Sequence, residues 1–173
     1  MLPNLKGLQM NKKICSPNYN EFYDWVTKGY FDKIKINRDK ERIVKTNEIF
    51  TSIDIVMYGL DLAYPKSFFS DPNISYSDNC VGEGAWLVGM ALKRMQAGLT
   101  HKQAIQNLKG ADIMEDNINA CVERLLCGQE HLRPIVERNI VCADAMRYHY
   151  RFDGTDPYLS DQDLQFDKLF EKT

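Results

Sequence analysis

The stretch SDNCVGEGAWLVGMALKRMQAG, residues 77–98, sets Cys80 just ahead of a small-residue-rich apolar segment. A thiol at a helix N-terminus ionises more readily, because unpaired N–H groups and the helix dipole favour the thiolate. Cys80 is therefore a candidate nucleophile, and His149 in MRYHYRF is the side chain available as its base. The pair would make a thiol-dependent hydrolase or transferase. The competing reading places Cys80 in the core. It lies four residues before Gly84 and seven before Leu87, so a continuous helix would bury all three on one face. The core reading is the expectation, and it assigns no catalytic residue.

Cys121, Cys127, His131 and Cys142 form a second grouping. Their spacing, C-x5-C-x3-H-x10-C, lacks the close ligand pairs of a compact zinc site, so no metal is expected. The sequence holds no phosphate-binding glycine loop, H-E-x-x-H, G-x-S-x-G or dinucleotide fingerprint, and no cofactor is expected. LTHKQAIQNLKGADIMEDNINACVERLL has the outline of a helix-turn-helix. Asp112, Glu115, Asp116 and Glu123 on its second half would repel phosphate, which argues against DNA. Two charged surfaces remain as candidate binding sites. One is the basic run Lys33, Lys35, Arg38, Lys40, Arg42 and Lys45; the other is the acidic tail with Asp161, Asp163 and Asp167.

The elements that must position these residues follow from the apolar pattern. Phe22, Trp25, Val26 and Tyr30 recur at helical spacing, capped by Ser16 or Asn20. Ile49, Ile53, Val56 and Leu60 mark a second helix, stopped by Pro65, and 65–79 reads as loop. Val81–Met95 is apolar or small at almost every position and predicts a buried central helix ending at Gly98. Thr100 and Gln103 form a capping box for a helix closed by Gly110. Met114, Ile118, Cys121, Val122 and Leu125 give the next helix, ended by Gly128. Pro134 opens another, predicted to run to about Phe152, and Ser160 starts a short terminal one.

The expected fold is all-α: a compact bundle of six or seven helices, with any minor β-structure in the N-terminal part. Residues 1–18 read as an extension and 19–173 as a single helical domain, with a possible sub-boundary at 65–79.

Composition limits what such a domain does. With 44% apolar and 27% charged residues, the chain has the balance of a folded globular protein. No apolar run reaches the roughly 18 residues of a membrane span. The N-terminal stretch lacks a continuous apolar segment, and the five cysteines are odd in number and irregularly spaced, which together predict reduced thiols in a cytoplasmic setting. Residues 1–76 carry two more basic than acidic side chains and residues 77–173 four more acidic than basic, so nucleic acid is an unfavoured partner. The expectation is a non-enzymatic protein-binding module of inhibitor, immunity or adaptor type, whose partner is another protein.

Overall fold

The computed structural model describes residues 16–29, 41 and 51–155. Helix α1 (Tyr19–Asp24) continues into a π-helical turn (Trp25–Gly29) and is followed by α2 (Ile53–Ala63) and α3 (Lys66–Ser70). Then β1 (Tyr76–Asp78), α4 (Ala85–Gln96), α5 (His101–Ile105), β2 (Leu108–Asp112) and α6 (Glu115–Leu126) alternate. A 3-10 turn (Glu130–Leu132), α7 (Arg133–Asn139) and β3 (Ile140–Cys142) complete the described order. The three strands form a parallel sheet in the order β1-β2-β3.

This sheet overturns the all-α expectation, and the helical-bundle description falls with it. The fold is mixed α/β, helix-rich, and among the described residues the sheet lies in 76–142. The physical reason lies in the strands. Each is three to five residues long, too short for an alternating pattern to stand out, and parallel pairing needs a long crossover rather than a hairpin turn. Gly110, expected to close a helix, instead pairs with both neighbouring strands. A Cβ there would press on Val81 and Leu87, so glycine lets the preceding turn and α4 lie against β2.

Helix α4 is central, as its apolar content predicts, although it starts at Ala85 rather than Val81. It packs on α1, α2, α3, α5, α6 and the first two strands. Gly89 permits the close crossing with α2, since any side chain would collide with Val56 and Leu60. The α5 capping box forms as the sequence indicates, with Thr100 Oγ1 accepting from Gln103 N–H and Gln103 Oε1 accepting from Thr100 N–H. Asn18, not Ser16 or Asn20, caps α1. The helix predicted to reach Phe152 stops at Asn139, where the chain enters β3.

Alternation along β2 serves two layers. Leu108 joins the main core beneath α4 and α6, whereas Ala111 joins Ala143, Tyr148 and Phe152 in a small cluster. No helix among the described residues is long and apolar enough to cross a membrane.

Candidate functional site

All three strands point their carboxyl ends into one cavity of about 590 Å³. Residues 78–83 line it after β1, Asp112, Ile113 and Met114 after β2, and residues 143–146 after β3, with Thr51, Ala85 and Trp86 closing one side. In an open parallel sheet this is where ligands bind, because the βα connections diverge there and leave a crevice.

An aspartate stands at or just beyond each strand end: Asp78, Asp112 and Asp144. Register puts Asp78 level with Gly110 and Asp112 level with Cys142. Asp112 is the most heavily engaged. Its Oδ2 accepts from Gly82 N–H at 2.8 Å, and its Oδ1 accepts from Met114 N–H at 2.9 Å and Asn117 Nδ2 at 3.3 Å. Asp78 Oδ1 accepts from Cys80 N–H at 3.0 Å. Burial, and secondarily the charge of Asp112, push the Asp78 carboxyl above the usual range. Asp144 Oδ1 accepts from Met146 N–H at 2.9 Å.

Between β1 and α4 the chain turns through Val81-Gly82-Glu83-Gly84. Gly82 and Gly84 take φ values of +52° and +85°, a region that side chains disfavour. Gly84 has a second reason to be glycine, since a Cβ would strike Cys121 on α6. Glu83 is buried and meets Arg124, whose Nη1 lies 3.3 Å from Glu83 Oε1. Among the described residues, the lining thus carries four carboxylates, one of them ion-paired, and no Lys, Arg or His. Apolar surface comes from Trp86, Ile113, Met114 and Met146, of which Ile113 and Met146 are 66% and 92% exposed at the mouth.

Among the described residues, the structure disperses those singled out from sequence. Cys80 is exposed and lines the cavity, contrary to the core position expected for it. The cause is that α4 begins five residues later, so Cys80 sits in the turn. The ring of His149 faces its own loop, Nδ1 accepting from Arg151 N–H at 3.1 Å and Nε2 lying 3.2 Å from Thr155 Oγ1. Cys121 is buried, Cys127 half-buried, and His131 and Cys142 exposed. Burial pushes the Cys127 thiol up to about 12 and raises the thiols of Cys121 and Cys142 as well. Among the described residues, no three His, Cys, Asp or Glu side chains are placed to hold a metal ion. Lys33, Lys35, Arg38, Lys40, Arg42 and Lys45, and Asp161, Asp163 and Asp167, lie outside the described residues.

The site residues that sequence reasoning missed carried a signal. YSD, GAD and CAD end at residues 78, 112 and 144, three short segments at near-equal intervals, two of them followed by a helix. No protein-family model, curated protein or solved structure matches the chain. Function therefore rests on the chemistry of the cavity.

Proposed function

We propose that the cavity binds a nucleoside cofactor that carries a positive centre and no phosphate, the chemistry of S-adenosylmethionine, and that the protein is a methyltransferase. The observation that carries this reading is the set of carboxylates at the three strand ends, with no cation among the described lining residues. A dinucleotide would lay its pyrophosphate at the turn before α4. At about 6 Å and an effective dielectric of about 20, each carboxylate repels a phosphate charge by roughly 3 kcal/mol. A helix N-terminus offsets only about 0.3–2 kcal/mol of that. Phosphates lose; a cation gains by the same amount.

The remaining surface fits the rest of such a ligand. Asp112 reaches the cavity with a carboxylate suited to ribose hydroxyls, and Asp144 accepts from the amine edge of a purine. Ile113 and Met146 supply apolar faces for the ring, and Asp78 faces the cationic end. When bound, the cofactor supplies an electrophilic methyl on a sulfonium. Beyond the mouth, the chain that continues the cavity wall presents Arg147, His149, Tyr150 and Arg151. Tyr150 is held there by donating its hydroxyl to the Ala145 carbonyl at 2.6 Å. Alternating cations and aromatic rings suit an anionic acceptor with planar bases, a nucleic acid. Whole-chain charge argued against that partner; the local arrangement favours it.

Nothing among the described residues supports an inhibitor or immunity role. A protein partner remains a second reading because α2 presents Ile55, Tyr58 and Leu62, each more than 60% exposed, on one helical stripe. Calorimetric titration with S-adenosylhomocysteine, NAD and ATP decides between the two readings. The first ligand alone should bind, and Asp112→Asn should weaken it roughly 10- to 150-fold, the range for a hydrogen bond to a charged group. Tighter binding of NAD or ATP, or no binding at all, overturns the cofactor reading; if Ile55→Ser/Leu62→Ser then abolishes a protein association, the surface reading replaces it.

A further inference from the structure

Helix α6 underlies the cavity through one face. Asn117, Cys121 and Arg124 fall at i, i+4 and i+7, so they stack along a single stripe. Each meets a different part of the site: Asn117 bonds Asp112, Cys121 lies beneath Gly84, and Arg124 meets Glu83. The Arg124 contact is unusual in its target. Nη1 donates to the backbone carbonyl of Glu83 at 2.9 Å while also standing beside its carboxylate, and both residues are buried. A surface ion pair does little, but here a guanidinium grips the peptide unit between two glycines of positive φ.

Those glycines leave the turn with little intrinsic preference for one conformation. Other hydrogen bonds act on it as well: Val81 N–H donates to the Ala111 carbonyl at 3.0 Å, Gly82 N–H to Asp112 at 2.8 Å, and Gly84 N–H to the Val81 carbonyl at 2.8 Å. The first two tie the turn to β2, and the third closes it on itself. Arg124 alone among these ties it to α6. Resting on the cofactor reading, we infer that Arg124 is a positioning residue: without touching the nucleoside, it fixes the Val81–Gly84 turn in the shape the ligand lies against. Asp112 then faces the cavity from a turn that does not drift, and α6 serves as the rigid support that outer residues commonly give a binding site.

The test separates shape from stability. Arg124→Met alone strands a buried carboxylate and risks unfolding. Arg124→Met/Glu83→Gln removes both charges and the guanidinium's hold on the carbonyl, while Glu83→Gln alone keeps the Arg124–carbonyl bond. Hydrogen exchange at the amides of residues 80–84 and titration with S-adenosylhomocysteine are read on all three proteins, after denaturation confirms that the double variant folds. The expected result is faster exchange confined to the turn and affinity lower by roughly tenfold or more in the double variant, the scale on which supporting residues tune a site. Glu83→Gln should exchange as the wild type does. Unchanged turn exchange in the double variant overturns the inference, as does faster exchange with undiminished affinity. Failure of the wild type to bind S-adenosylhomocysteine sinks the cofactor reading instead, and the exchange comparison still decides whether Arg124 sets the turn.

Discussion

The two ends of the sheet handle polar side chains in opposite ways. At the carboxyl ends, Asp78, Asp112 and Asp144 border an open cavity. At the amino ends, polar side chains are turned inward and bond to backbone carbonyls. Arg94, fully buried, donates from Nη2 to the Ile74 carbonyl at 2.6 Å and from Nη1 to the Ala104 carbonyl at 3.2 Å. Asn107 Nδ2 donates to the Pro72 carbonyl at 2.7 Å, and Asn139 Nδ2 to the Gln106 carbonyl at 2.9 Å. His101, also fully buried, donates from Nε2 to the Leu125 carbonyl at 2.9 Å and packs on the Phe22 ring. One end builds the fold with its polar residues; the other offers them to a ligand. Burial with backbone partners and placement on a cavity wall thus separate structural from functional polarity, where residue type alone does not.

The contrast can be broken most forcefully at Arg94. Arg94→Met strands the buried Ala104 carbonyl and the part-buried Ile74 carbonyl, at about 1–3 kcal/mol for the first and less for the second, so urea denaturation should show a loss of roughly 1–5 kcal/mol. A loss within error of zero would mean that the amino end is not held this way.

Acid sharpens the same contrast. Burial lowers the His101 imidazole to about 4, well under its usual value near 6.5. The folded state therefore binds fewer protons than the unfolded chain between those values. Stability from this group is complete above pH 6.5 and is lost as pH falls through about 4, amounting to roughly 3 kcal/mol. His101→Gln should flatten the decline between pH 7 and 4 in denaturation measurements; an equally steep decline in the variant would remove His101 as its cause.

The smallest effect belongs to the open end and has the opposite sign. Because burial raises the Asp78 carboxyl, the folded state holds its proton to higher pH than the unfolded chain does. Ionised Asp78 thus destabilises, and its effect grows as pH rises from about 3.9 through the raised value. Asp78→Asn should match the wild type below that window and exceed it at pH 7 in chemical denaturation. A variant less stable at pH 7 would show that the Cys80 N–H bond outweighs desolvation.

The helices were legible because their signals are local. Thr100 with Gln103, Gly98, Gly128 and Pro134 each sit where the structure uses them. The sheet was hidden because its strands are short and its pairings join residues about 30 positions apart, as Tyr76 with Leu108 and Gly110 with Ile140. Cys80 drew attention as a reactive type near a helix start, and it does reach the cavity. The aspartates went unweighed because each looks like an ordinary turn residue until three strand ends meet. No single segment contains that information.

The aspartates also fix where the length of this chain is free. Because each carboxylate is delivered by a strand end, its address is the count of residues within the strand and not the distance from its neighbour. One residue inserted into β2 ahead of Asp112 would turn that carboxylate to the opposite face of the sheet. The same residue inserted between Gln96 and Thr100 would only lengthen a connection, at a cost of tenths of a kcal/mol. Homologous chains, where they arise, are thus free to vary in the crossovers and constrained to a fixed count in three segments of five residues or fewer.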